Sequence, residues 1–235
     1  MTRRVVVWRH GRTDWNARGI AQGQSDVQLD DAGRKQALEA APLVARYGVT
    51  RIVASDLVRA RDTAQALADV TGLAVQTDAR LREFDLGARE GMSTEQSFEQ
   101  FGPEMAAWQR GEEARFGDSE TLSESATRFA AALDEVAAET GQTEVSVVVA
   151  HGGVMRAGIC AWLGLPQSLW GRFGGFGNCR WAVLQEQAGR QGHWRITEWN
   201  TGAVPELDDS HDHQHASREA APVDEADPIP NADDV

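Results

Sequence analysis

Two short β-branched runs, each ended at once by histidine and glycine, constrain the fold of this chain most. Arg3 to Trp8 reads RRVVVW and stops at Arg9-His10-Gly11, and Glu144 to Ala150 reads EVSVVVA and stops at His151-Gly152-Gly153. A continuous apolar run of this length fits a strand buried on both faces, as in a parallel sheet. Chemically useful side chains therefore sit where two strands end. The intervening chain alternates strands with helices. Thr50 to Ala54 reads as a strand, Ser55 as the cap of a helix to about Thr71, and Gly72 as its stop. Asp30 is placed to cap a helix through Tyr47, and Leu73 to Gln76 forms another short strand. Ser93 with Gln96, and Thr121 with Glu124, have the spacing of capping boxes, the second opening a helix that ends near Gly141. Gly111 to Glu120 reads as an exposed loop, Val154 to Leu163 as a helix, and Cys179–Gln185 with Trp194–Trp199 as a closing hairpin turning at Gly189 and Gly192.

This alternation predicts an α/β fold: a three-layer sandwich whose largely parallel central sheet is covered by helices on both faces. In such sheets ligands bind beyond the carboxyl ends of the strands, where Arg9, His10 and His151 would lie. A neutral imidazole nitrogen is able to attack phosphorus, and arginines hold phosphoryl oxygens in line for that attack. A capping or surface histidine beside a solvated arginine is the plainer alternative for Arg9-His10 taken alone. Arg59, behind the strand that ends at Ala54, adds a third strand end to the convergence. Two arginines and two histidines at one crevice suit a phosphoryl group.

Five separated segments carry a resemblance: RHGRTDWN, QGQSDVQLDDAGRKQA from Gln22, SDLVRARDTA, LREFDLG and VVVAHGGVMR. In this order they resemble the histidine phosphatase superfamily, the phosphoglycerate mutase-like family, over about residues 3 to 200. The resemblance implies a phosphomonoesterase working through a covalent phosphohistidine, without cofactor or metal. It makes His10 the nucleophile, with Arg9, Arg59 and His151 forming the phosphate pocket, Asn16 adding a donor, and Glu83 acting as proton donor and then base. Thr13, Gln22 and Gly23 match positions at the pocket mouth, and Gly152 follows the second histidine. Local loop packing is the competing reading for these mouth residues. Asp85 and Glu90, near Glu83, read as solvated carboxylates. Arg12 stands where the family commonly has glutamate, either as an extra cation at the entrance or as a surface partner of Asp14. Arg156 reads as facing solvent or a neighbour.

The 68 positions between Glu83 and His151 resemble the phosphatase branch, because mutases of the family usually carry a longer insertion there. Phosphoglycerate mutase-type transfer is one alternative, and a phosphate-recognising module without turnover is another. GFGNCRWAVL and WRITEWN resemble the ending of actinobacterial members acting on sugar phosphates such as glucosyl-3-phosphoglycerate. Other sugar phosphates, α-ribazole phosphate and broad specificity stay open.

Composition bounds the partners. The net charge is −13, but the segment from Glu206 holds ten acids and one arginine, so −9 of it lies there. Acidity opposes phosphate-backbone binding, and nucleic acid is not an expected partner. Residues 1–205 read as one domain and 206–235 as an acidic disordered tail, whose His211, His213 and His215 could hold only an incidental metal. No apolar run approaches the roughly 20 residues of a membrane helix and no signal-peptide pattern opens the chain, so a cytoplasmic location without membrane contact is expected. Cys160 and Cys179 read as buried thiols. Gly171, Gly174, Gly175 and Gly177 lack the strand and helix a dinucleotide loop needs, and instead suggest a loop bordering the site or a tight connection into the hairpin. Trp162, Trp170, Trp181, Trp194 and Trp199 suit core or interface burial, with a sugar-stacking platform as the alternative. Dimers are frequent among members of the family, so a homodimer is one option, but the sequence itself leaves the oligomeric state open.

Overall fold

The computed structural model describes residues 2–202. The expected boundary at 205, the acidic segment and its three histidines lie outside the described residues.

Six strands form one sheet in the order β3-β2-β4-β1-β5-β6. They are β1 (Arg4–Arg9), β2 (Arg51–Ala54), β3 (Val75–Thr77), β4 (Val145–Ala150), β5 (Trp181–Glu186) and β6 (Trp194–Thr201). The pairs β1–β4, β4–β2 and β2–β3 are parallel, whereas the closing hairpin β5–β6 joins antiparallel to β1. The two most apolar runs, β1 and β4, take the centre of the sheet, where both faces must be covered.

Alternation along the strands splits the core into two slabs. Val6, Trp8, Ile52, Val147 and Val149 face α2 (Asp31–Ala45) and α3 (Val58–Thr71). Val5, Val7, Val53 and Val148 face α5 (Leu122–Glu139) and α6 (Gly152–Trp162). The three-layer sandwich follows directly. Helices α5 and α6 meet so closely that a Cβ on Gly158 would lie 2.2 Å from Phe129 Cδ1. No helix among the described residues is long and apolar enough to cross a membrane.

Local chemistry sets the helix starts. Asp30 accepts from the Gly33 amide at 2.7 Å to cap α2, and the capping boxes at Ser93 and Thr121 open α4 (Thr94–Gln109) and α5. Gly72 closes α3 in the left-handed conformation, φ 74°. Ser55 is a correction: α3 begins only at Val58, its N-cap residue Leu57 has no side-chain cap, and the Ser55 hydroxyl is engaged elsewhere. Helix α6 starts two residues before the expected Val154, directly behind His151.

The excursion between β3 and β4 departs most from expectation. Helix α4 breaks at Phe101, two residues before Pro103, where φ is −131° and ψ 37°. The 111–120 segment is not a simple exposed loop. Its Phe116 is fully buried, edge-on to Phe101 and tilted against Trp108.

Candidate active site

Strand register brings the separated motifs together. Arg9 pairs with Ala150 and Ala54 with Val149; one residue further on, the His10 amide donates to Ala150 O at 3.0 Å and the Ser55 amide to Val149 O at 2.9 Å. His10, Ser55 and His151 therefore leave three adjacent parallel strands at one level. The turn after His10 sits directly on backbone: a Cβ at Gly11 would lie 2.4 Å from Gly33 O, and one at Gly33 would lie 1.9 Å from Arg12 O. Only glycines permit this approach. Thr63 Oγ1 from α3 accepts the Gly11 amide at 3.0 Å.

A cleft lies beyond these strand ends. Its polar side is Arg9, His10, Asn16, Gln22, Gly23, Arg59, Glu83 and Gly153, and its apolar wall is Phe84, Leu86 and Trp108.

Hydrogen bonds fix the state of both imidazoles. His10 Nδ1 lies 2.7 Å from Gly11 O, which only accepts, so Nδ1 carries the proton and Nε2 keeps its lone pair. His151 Nδ1 lies 3.1 Å from Arg59 Nε, which only donates, so its proton sits on Nε2 and goes to Ser55 Oγ at 2.9 Å. The rings stand 5.0 Å apart, tilted by 56°. Burial, then Arg59 and Arg9, hold His10 well below its ordinary value of 6.5. Burial, then Arg59 and His10, do the same to His151. Arg59 is pushed down to about 10 by burial, opposed by Glu83 and Asp26, and remains a cation at neutral pH. The cleft therefore combines a neutral nucleophilic nitrogen with fixed positive charge.

These shifts have a thermodynamic consequence with a definite sign. Below pH 6.5 the unfolded imidazoles take up protons that the native protein refuses, so acid destabilises the fold. Between about pH 5 and 6.5, above the ordinary carboxylate range, we expect stability to fall with a limiting slope of about 1.4 kcal/mol per pH unit per histidine. Above that window the contribution is constant. Urea unfolding across this range should show the slope, and His10→Gln should remove about half of it. An unchanged slope in that variant would mean native His10 titrates normally.

Each expected site residue has a definite place. Arg9 is buried and its Nη1 donates to Phe176 O. Arg59 is fully buried and donates to Ser25 O and Gly23 O, both at 2.7 Å, tying the mouth loop to the strand ends. Asn16 and Gln22 line the cleft, whereas buried Thr13 stands behind them, donating to Gln22 Oε1 at 3.0 Å and capping α1 (Asp14–Ala17). His151 is fully buried behind Arg59 rather than lining the cleft, with both ring nitrogens bonded to protein. Gly152 lies against the Arg9 guanidinium, 3.0 Å from Nε to a built Cβ, and Gly153 rather than Gly152 reaches the cleft. Both Glu83 oxygens accept from the start of α6, Oε2 from Gly153 N at 3.1 Å and Oε1 from Val154 N at 2.8 Å. The carboxyl group is thus fixed at a helix N-terminus.

Several neighbours differ from expectation. Glu90 is a strut rather than a solvated carboxylate, accepting from Gln24 N at 2.7 Å and Ser25 Oγ at 2.6 Å. Asp85 accepts the Gly87 amide at 2.9 Å in a local turn. Arg12 pairs with Asp30 at 2.8 Å, not with Asp14, which pairs with Arg18. The glycine-rich stretch is a connection into β5 that borders the site through Phe176 and Asn178, whose Nδ2 donates to His10 O at 3.2 Å and Asn16 Oδ1 at 3.3 Å. Trp170 and Trp181 are buried, and the Trp162 and Trp194 rings meet at 5.1 Å, tilted by 53°. Trp108, which the sequence did not single out, provides the aromatic wall.

The relatives match in sequence and shape. A glucosyl-3-phosphoglycerate phosphatase of Mycolicibacterium vanbaalenii is 37% identical over 217 residues, covering 86% of this chain and 96% of that protein. A probable phosphoglycerate mutase of Erwinia tasmaniensis is 32% identical over 214 residues, covering 88% and 95%. The solved mycobacterial glucosyl-3-phosphoglycerate phosphatase complexed with VO3 superposes with a TM-score of 0.78 at 37% identity, covering 84% of this chain and 98% of that one. A phosphoserine phosphatase from Entamoeba histolytica does so at 0.73 and 25% identity, covering 85% and 97%. The family model for the histidine phosphatase superfamily (branch 1) matches residues 5–202, nearly all that the structure describes, and with it the strand ends that meet at the cleft: this chain belongs to that superfamily.

Proposed function

We propose that the chain hydrolyses a small phosphomonoester through a phosphohistidine on His10, and that its substrate is a phosphorylated sugar acid of the glucosyl-3-phosphoglycerate kind. The observation that carries the reading is the His10 tautomer: Nδ1 is held by Gly11 O, Nε2 keeps its lone pair, and the ring lines the cleft together with Arg9 and Arg59. In the first step Nε2 bonds to phosphorus while the bond to the leaving oxygen breaks, and the Glu83 carboxyl gives that oxygen its proton. In the second, water attacks the phosphohistidine, its proton returns to Glu83, and inorganic phosphate leaves with His10 restored. Arg9 and Arg59 neutralise the equatorial oxygens throughout, Asn16 and Gln22 supply neutral polar contacts, and His151 keeps Arg59 in place from behind. Thr13, Gly23 and Gly152 shape the loops that hold these groups.

Hydrolysis is favoured over phosphoryl transfer between hydroxyls by the 68-position span from Glu83 to His151, which lacks the longer insertion usual in mutases of the family. The substrate class is supported by the names of the relatives and by the wall of Phe84, Leu86 and Trp108 beside Glu83, on which a sugar ring would rest. The buried thiols of Cys160 and Cys179, both free, fit a reducing cytoplasm.

The test is a panel of phosphomonoesters read by release of inorganic phosphate and compared as kcat/KM. Glucosyl-3-phosphoglycerate should exceed phosphoserine and simple hexose phosphates by at least about tenfold, the scale on which pocket contacts discriminate. Conversion of 3-phosphoglycerate to 2-phosphoglycerate without phosphate release would establish the mutase reading, and binding of phosphate without turnover would establish a recognition module.

A further inference from the structure

Segment 82–86, which carries Glu83, has no helical or strand backbone of its own. Its position must be imposed from outside, and besides Asp56, which holds Arg82, and Gln24, which donates to Glu83 O, one side chain on α5 takes part. Arg128 Nη1 donates to Arg80 O at 2.7 Å and Arg82 O at 3.0 Å, and Nη2 to Glu83 O at 3.2 Å. The same guanidinium holds Glu120 through Nε at 2.7 Å and Nη2 at 2.6 Å. Glu120 then reaches the other side of the acid, its Oε2 accepting from Asp85 N at 3.0 Å while its own amide donates to Asp85 O at 3.0 Å. The chain is gripped immediately before and after the residue whose carboxyl faces the cleft. Burial opposes a charge on Glu120, yet Arg128, the Asp85 amide and Ser125 together hold it below the ordinary carboxylate range.

Neither Arg128 nor Glu120 lines the cleft. A surface ion pair of this kind would need only the bidentate contact, and such pairs contribute little. Here one planar, five-donor head serves three carbonyls and a carboxylate together, a pattern that the point charge of lysine cannot reproduce. The close contact of Gly158 with Phe129, the neighbour of Arg128, fixes α5 against α6, whose first amides hold the Glu83 carboxyl. Backbone and side chain of Glu83 are thus referred to two helices that are locked to each other.

We propose that Arg128 and Glu120 are positioning residues for proton transfer, forming a brace that sets the Glu83 carboxyl against the leaving oxygen of the substrate. This rests on Glu83 being the acid of the proposed reaction. Misplacement by a fraction of an ångström would leave substrate binding and phosphorus attack intact but weaken protonation of the leaving group. The defect would be confined to poor leaving groups, which a merely structural role would not select.

The experiment measures kcat and KM for alkyl phosphates and for para-nitrophenyl phosphate with the wild type, Arg128→Lys, Arg128→Met, Glu120→Gln, Glu83→Gln and the Arg128→Lys/Glu83→Gln double variant. Each brace variant should lose about 10- to 100-fold in kcat/KM on alkyl phosphates and stay within about threefold in kcat/KM on the activated ester, because kcat/KM ends at formation of the phosphohistidine, before the water step that both esters share. In the double variant, Arg128→Lys should cost nothing further, since its effect passes through Glu83. Arg128→Lys and Glu120→Gln keep the comparison available if Arg128→Met does not fold. Equal losses on both ester classes, or additivity in the double variant, would overturn the brace. If Glu83→Gln itself shows no leaving-group selectivity, the acid assignment fails instead, and the two failures are told apart.

Discussion

His10→Ala is expected to abolish phosphate release, lowering kcat by at least about four orders of magnitude, and to remove acid-labile, alkali-stable labelling by radioactive substrate. The size follows from the chemistry. Without the imidazole the remaining cleft still binds and neutralises phosphate through Arg9 and Arg59, yet it lacks a nucleophile at the strand end. Substrate binding should therefore survive while turnover does not, and calorimetric titration with inorganic phosphate separates the two. A second signature comes from charge. Because His10 is held neutral by burial and by two cations, the acid limb of kcat/KM should lie well below pH 6.5. Labelling that persists at another residue would defeat the assignment of the nucleophile.

Glu83→Gln carries the second large effect. General acid catalysis is worth about 10²- to 10⁴-fold, and it matters most where the leaving alkoxide is a strong base. The variant should lose that factor in kcat/KM on sugar and alkyl phosphates and far less in kcat/KM on an activated aryl phosphate, whereas the water step, which also uses Glu83, slows alike for both. The geometry adds a complication of known sign. Both Glu83 oxygens accept backbone amides, so the glutamine NH2 must face a donor at either Gly153 or Val154. A stability loss of about 1–3 kcal/mol should accompany the kinetic change. The ratio of kcat/KM between leaving groups, not the absolute rate, isolates the proton transfer. A uniform loss would assign Glu83 to the framework.

Legibility in the sequence divided along physical lines. The apolar runs announced the central strands, and local capping chemistry at Asp30, Ser93 and Thr121 announced three helices, because both signals are complete within a few residues. The strand-end histidines were visible for the same reason. Partners remote along the chain were not visible. Ser55 reads as a cap from its neighbours, but its hydroxyl meets His151, 96 positions away. Glu90 reads as solvated, but it holds the loop at Gln24, 66 positions back. Trp108 lies on a helix bent at Phe101, and only the tertiary cluster with Phe84 and Phe116 turns it to the cleft. The placement of His151 behind Arg59 is likewise set by register across β2 and β4, which no local pattern encodes.

The division of the cleft between strand ends and the excursion before β4 has an evolutionary corollary. Arg9, His10 and His151 stand at the ends of the two central strands, whereas Trp108 and Phe116 belong to an outlying flap built on a broken helix. Drift or laboratory selection acting on that flap would retarget the catalyst to new alcohols while its reactive half stayed untouched. A transplant of residues 94–116 between homologues should carry preference for the departing group with it.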